Sequence, residues 1–357
     1  MVKLKLEDVI QGIQPVNPEW RVKARNYLQN LAIPQGSLGE LLGLAEQLAA
    51  IKETLKPSVR HKTVVTMAGD HGVVEEGVSA FPQEVTPQMV ANFVAGGAAI
   101  NVLAGVAGAR VVVVDMGVAA DLTALVKEGK ILSCKVGPGT RNMALGSAMT
   151  RAQAVEALEA GINMAGNLVR DGAELLGTGD MGIGNTTPSS AILAAFSGRP
   201  AQEVTGRGTG ISDDALRNKA RVIQKALDLN QPDANDPVDV LAKVGGFEIG
   251  GIAGLILGAA YHKVPVVVDG FISSAGALLA KKLAPHSVEY MIAAHRSMEY
   301  GHQFMLEELG LKPLLNLNLR LGEGTGAALA MNIVEGAAQV IGKMLTFEDA
   351  SVSRNME

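Results

Sequence analysis

A single carboxylate, Glu323, stands between two glycines in Leu321-Gly-Glu-Gly-Thr-Gly-Ala-Ala-Leu-Ala330, just ahead of a run of small residues. Glycine opens backbone conformations closed to other residues and lets a ligand come close. An acid held there is poorly placed for packing and well placed to take a proton. The plain alternative is a solvated loop acid, because Asp and Glu mostly lie on surfaces. Two further stretches shift that balance. Gly177-Thr-Gly-Asp-Met-Gly-Ile-Gly-Asn-Thr-Thr-Pro188 carries four glycines, including Gly182 and Gly184, that free the backbone to turn its N–H groups toward one point. Asn185, Thr186 and Thr187 can cap a helix starting near Pro188, and a helix N-terminus behind a glycine loop is an anion site. Asp180 there is an acceptor for a ligand hydroxyl or amide; the alternative is a βα turn with no ligand. Gly206-Arg-Gly-Thr-Gly-Ile-Ser-Asp213 is a second loop suited to phosphate, with Arg207 and, on the following helix, Lys219. A lysine point charge suits a phosphate monoester. The alternative leaves both cations as solvated helix-entry charges.

Other chemistries fit less well. Gly69-Asp-His-Gly72 has the composition of a metal or acid/base pair, yet no second His or Cys lies at ligand spacing, so no metal is expected. His295 reads as a structural or rim residue. The glycine loops match neither the Walker A nor the dinucleotide fingerprint, and no cofactor is expected. No Gly-x-Ser-x-Gly elbow supports a serine hydrolase.

These residues must be held by something, and the patterning says what. Short β-branched runs at 63–68, 110–115 and 265–269 each end near Asp and Gly, as strands buried on both faces of a parallel sheet do. Helical patterns at 86–104, 151–170, 212–227 and 251–261 separate them. That alternation predicts an α/β fold, a Rossmann-like parallel sheet flanked by helices, with ligands beyond the carboxyl ends of the strands and the Asp-Gly pairs on the rim. Helices are expected at 18–31 and 38–55, the second capped by Ser37, and a long one over 325–345, followed by a loose polar tail at 346–357. One compact unit with a terminal helical appendage fits better than two independent domains.

Composition limits the partners. Hydrophobic residues make up 48% against a net charge of −5, which excludes a disordered chain. The absence of a basic stripe argues against nucleic acid. The single cysteine, Cys134, rules out an intrachain disulfide and a thiolate cage. Residues 1–8 lack a signal-peptide apolar block, and the apolar run 249–261 is too short to span a bilayer, so a cytoplasmic protein with no membrane partner is expected.

Taken together, Gly69-Asp-His-Gly-Val-Val-Glu-Glu-Gly77, 177–188, Lys243-Val-Gly-Gly-Phe247, Asp269-Gly-Phe-Ile-Ser273 and Leu319-Arg-Leu-Gly-Glu-Gly-Thr-Gly-Ala-Ala-Leu-Ala330 resemble, in order and over about residues 15–345, the nicotinate-nucleotide:dimethylbenzimidazole phosphoribosyltransferases. The resemblance implies transfer of 5-phosphoribosyl from nicotinate mononucleotide to an aromatic base, with inversion, giving the α-ribotide of a cobamide lower ligand. It implies Glu323 as the general base, with phosphate on the amides around Gly182, Gly184, Gly206 and Gly208 and near Lys219. It also implies a large domain over 60–310, a small helical domain from 1–59 plus 311–357, and a dimer, homo- or heterodimeric. Three positions depart from the family pattern. Asp180 replaces a usual glutamate, Phe81 a serine, and Met89 a glutamine if no gap intervenes, with Gln88 one residue away. Phe81 and Met89 make an apolar acceptor slot, which favours phenol or p-cresol over a benzimidazole. The alternative role is a non-catalytic paralogous subunit supporting a partner's site.

Overall fold

A computed structural model describes residues 3–353; the first two and last four residues of the terminal stretches considered above lie outside it. Six parallel strands form one sheet: β1 (Lys62–Gly69), β2 (Ala109–Gly117), β3 (Leu132–Ser133), β4 (Leu175–Met181), β5 (Val266–Val268) and β6 (Met291–Ala293). Their order is β3-β2-β1-β4-β5-β6. The winding reverses between β1 and β4, and such a switch point opens a crevice at the carboxyl ends of the strands. β1 is buried along its whole length, as its unbroken apolar run requires.

On one face of the sheet lies Phe247–Tyr261, a helix with every residue but Tyr261 buried. It packs against Arg151–Arg170 at backbone distance: a Cβ on Gly161 would fall 2.0 Å from the Gly251 carbonyl oxygen. Gly161, Gly254 and Gly258 permit that close approach. On the other face, Pro18–Leu28, Glu40–Lys52 and Thr325–Lys343 pack together. Their apolar residues, among them Leu28, Leu48 and Val334, share one core with Val64 and Ala68 of β1.

Several local expectations change. The helix expected over 86–104 is two, Val85–Ala95 and Ala99–Ala107, broken where Gly96 turns to φ +78°. Together they span Val85–Ala107, a stretch long and apolar enough by length and composition to cross a membrane. Ser37 caps nothing; the helix starts at Glu40 behind Gly39, which has φ +51°. The tail is tied down as far as it is described. Ala32 N–H donates to Leu345 O, and Phe347 N–H to Asn30 O, both at 3.0 Å.

The stretch from Gly177 to Met181 is strand β4 and not loop. Strand glycines usually mark a close backbone approach, and Gly179 meets the loop that carries Glu323. The Asp residues at strand ends hold neighbouring amides: Asp70 Oδ2 accepts from Ala119 N–H at 2.7 Å and Asp269 Oδ1 from Ala327 N–H at 2.9 Å. Of the Asp-Gly pairs, only Gly270 lines the cavity described next.

Candidate active site

A cavity of about 380 Å³ opens at the switch point. β4 supplies Asp180 and Met181, and the turn after it supplies Gly182 and Gly184. Gly322 and Glu323 close the far wall, and Gly208 and Thr209 come from the 206–210 loop. Phe81, Val85 and Met89 form an apolar side with Ile183 and Phe271.

Glu323 sits on left-handed backbone at φ +64°, between Gly322 at +86° and Gly324 at +96°. A non-glycine residue pays about 1 kcal/mol or more for that conformation. The surroundings fix it. Glu323 N–H donates to Asp180 O at 3.1 Å, its carbonyl accepts from Thr66 Oγ1 at 2.8 Å, and its Oε2 accepts from Ile100 N–H at 3.2 Å. Gly324 is required twice over, because a Cβ there would fall 2.5 Å from Val64 Cγ1. The side chain is only 5% exposed. Burial pushes its carboxyl above the ordinary range; the Ile100 N–H opposes this and Asp269 adds to it. A carboxylate with a raised proton affinity, anchored through one oxygen, has the features that a general base needs.

Asp180 is buried beside it. Its Oδ2 accepts from Asn185 Nδ2 at 3.1 Å and its Oδ1 has no protein partner. Asn185 therefore spends its side chain on Asp180 and does not cap the Thr186–Ser197 helix. Burial raises the Asp180 pKa well above the usual value, with Asp269 and Glu248 adding, Asn185 opposing and Glu323 adding. The group thus favours folding fully only below its unfolded pKa, about 3.9, and that contribution is lost as pH rises toward the folded value. Asp180→Asn is accordingly expected to unfold at a higher temperature than wild type at pH 8, with the difference shrinking toward pH 4. For chains somewhat smaller than this one, 1 kcal/mol corresponds to about 2–4 °C. Calorimetry across that range checks it; a difference independent of pH removes the argument.

The other expected residues divide. Phe81, Met89, Asp180, Gly182, Gly184, Gly208 and Glu323 line the cavity. Gln88 is exposed and does not, so the helix turns Met89 inward. Lys219 stands behind the 206–210 loop, and Gly206, where that loop begins, does not line the cavity. Lys219 Nζ donates to Thr186 Oγ1 at 2.6 Å and Gly206 O at 3.2 Å. It is fully buried, and burial lowers its ammonium to about 8, with Glu299 opposing. Arg207 turns away to pair with Asp213 on the exposed surface. Two charged cavity residues escaped the sequence reading of individual side chains. Arg320 precedes the Glu323 loop inside the quoted motif, and its guanidinium reaches Gly208 O at 3.4 Å. Glu299 is buried, with an unpartnered Oε2. His295, also on the wall, lies 3.8 Å from Asp269 Oδ1. His71 forms a fully buried 2.7 Å contact with Glu248 through Nε2 and does not line the cavity.

The phosphoribosyltransferase family matches this chain over residues 13–352, which makes the parallel α/β sheet with an acid and glycine loops at its switch point that of a group-transfer enzyme. Comparison with individual proteins narrows the class. The nicotinate-nucleotide–dimethylbenzimidazole phosphoribosyltransferase of Syntrophotalea carbinolica is 58% identical, covering 98% of this chain and 99% of that protein. Its namesake in Geobacter sulfurreducens is 57% identical over 98% of each. The crystal structure of CobT from Thermus thermophilus superposes with a TM-score of 0.91 at 47% identity, covering 95% of this chain and 100% of that one. The chain belongs to the nicotinate-nucleotide–dimethylbenzimidazole phosphoribosyltransferase family and is a phosphoribosyltransferase.

Proposed function

We infer that this chain moves the 5-phosphoribosyl group of nicotinate mononucleotide onto an aromatic base, for cobamide biosynthesis in the cytoplasm. The observation that carries the reading is Glu323, buried, strained and anchored on the wall of a cavity of about 380 Å³. The acceptor's nucleophilic atom, a ring nitrogen of a benzimidazole or the oxygen of a phenol, attacks the anomeric carbon from the face opposite nicotinate. The glycosidic bond to the pyridinium nitrogen breaks, its electron pair neutralises that nitrogen, and β becomes α. Glu323 takes the acceptor's proton. No acid is needed for the leaving group, which departs from a cationic state. The glycine-rich backbone at 182–184 and 206–210, with Lys219 behind it, holds the phosphate. On this reading the 60–310 unit supplies the donor and acceptor walls, and the helical unit of 1–59 with 311–357 delivers the base. A dimer is supported by the apolar face of Ala99–Ala107, where Val102 and Val106 are exposed. Glu323 disfavours the role of a purely supporting subunit.

The relatives are named for dimethylbenzimidazole, and the 5,6-dimethyl compound is the first acceptor to test. A phenolic acceptor, phenol or p-cresol, is a second reading favoured by the inward Met89 and the Phe81 rim, which offer a second ring nitrogen no side-chain hydrogen bond. Released nicotinate is measured with purified chain, nicotinate mononucleotide and each acceptor. The expected result is turnover by the chain alone. Turnover only with a paralogous chain would support a heterodimer, and none under any pairing ends the reading. Phe81→Ser with Met89→Gln is expected to shift preference toward the benzimidazole by about tenfold, the worth of one good hydrogen bond. An unchanged ratio removes the phenolic argument.

A further inference from the structure

The 206–210 loop touches two walls of the cavity and, behind it, the buried Lys219. Thr209 Oγ1 accepts from Ala80 N–H at 3.0 Å and lies 3.5 Å from Ser79 Oγ. Gly208 O accepts from Arg320, and Gly206 O from Lys219. Within the loop, Gly210 and Ile211 N–H both turn back to Arg207 O, and Gly208 and Gly210 take φ of +52° and +94°. On the opposite side, Ser79 Oγ accepts from Phe81 N–H at 3.2 Å and donates to Phe81 O at 3.1 Å. Ser79 therefore sets the turn that presents Phe81, and Thr209 is the side chain of the phosphate loop that grips that turn.

We propose that Thr209 is a positioning residue that couples occupancy of the phosphate subsite to the placement of the acceptor wall. This rests on the reading of the cavity as a joint donor and acceptor site. A phosphate ordering the Gly206–Gly210 backbone fixes Thr209, which fixes Ala80 and, through Ser79, Phe81. The acceptor then meets a wall already in place and loses less freedom on binding. Coupling of this kind is reciprocal, so each ligand tightens the other by the same factor.

The test uses binding alone, so it stays readable whether or not the chain turns over. The Kd of 5,6-dimethylbenzimidazole, and separately of p-cresol, is measured calorimetrically with and without saturating ribose 5-phosphate. Wild type is expected to bind the acceptor about 3–10-fold more tightly with the sugar phosphate present, the range of one hydrogen bond. In Thr209→Val, which keeps the shape and loses the acceptor oxygen, that ratio falls to near one. Thr209→Ser restores it. Thr209→Ala serves as a second deletion if the valine variant unfolds. A wild-type ratio near one overturns the proposal, as does a Val or Ala variant that keeps the full ratio, or a Ser variant that fails to recover it. Nicotinate release tests the transfer reaction separately, so failure of one reading is distinguishable from failure of the other.

Discussion

Glu323→Gln is expected to lower kcat for nicotinate release by about 10²–10⁴-fold, the usual worth of a positioned general base, while donor affinity stays near wild type. The amide is the informative replacement. It keeps the volume, it still offers an oxygen to the Ile100 N–H, and it pays the same backbone cost at φ +64°. It removes only the ability to accept a proton. The pH dependence separates this from a packing effect. Burial raises the Glu323 carboxyl above its ordinary value, and the ionised form is the active one. Wild-type kcat/KM should therefore rise with pH along a limb whose midpoint lies above the usual glutamate value of about 4.3. The residual activity of Glu323→Gln should lack that limb. A variant retaining both rate and limb would assign the proton to another group, and Asp180, with its unpartnered oxygen, would be the first to examine.

The part of this site legible in the sequence is the part whose requirement is local. Glu323 announces itself because the chain sets it between two glycines, Gly322 and Gly324, and both take positive φ beside it. The inward choice of Met89 over Gln88 follows from helix phase: Val85 and Met89, four apart, both line the cavity. Gly177 and Gly179 misled because glycine reads as loop. Their spacing of two places them on one face of a strand, where Gly177 meets Met331 and Gly179 meets Glu323, contacts made by a segment far along the chain. The contact between His71 and Glu248 spans 177 residues and leaves no sequence signature. Strands β5 and β6 are three residues each, and Met291-Ile-Ala293 has only one β-branched side chain, too little to mark a strand before β5 is known to lie beside it. Lys219 was legible as a cation near the 206–210 loop, but its full burial depends on how the helix Asp213–Asn230 packs.

Gly179→Ala is expected to cost activity far out of proportion to the methyl group it adds. Its Cβ would fall 2.3 Å from the Glu323 carbonyl oxygen, 2.7 Å from the carbonyl carbon and 2.9 Å from Gly324 N. All three are backbone atoms, so no rotamer change relieves the clash. β4 is a central strand paired to β1 and β5, whereas the Glu323 loop is held by separate hydrogen bonds, from Thr66 Oγ1 and Ile100 N–H to Glu323, from Glu323 N–H to Asp180 O and from Gly324 N–H to Asp269 Oδ2. The loop is the side that must yield. Overpacking of this kind costs about 1–3 kcal/mol of stability, and a displacement near 1 Å at a reacting group costs about 10²-fold in rate. Stability loss alone does not explain such a rate effect, and a second glycine shows why. Gly161→Ala puts a Cβ 2.0 Å from the Gly251 carbonyl oxygen, between two helices of the core. It should lower the unfolding temperature to a similar or greater degree and leave kcat of the folded fraction near wild type. If the two variants lose kcat equally, the strand does not set the position of the base. If only Gly179→Ala loses it, the missing side chain in β4 is what lets the sheet serve as the anvil for Glu323.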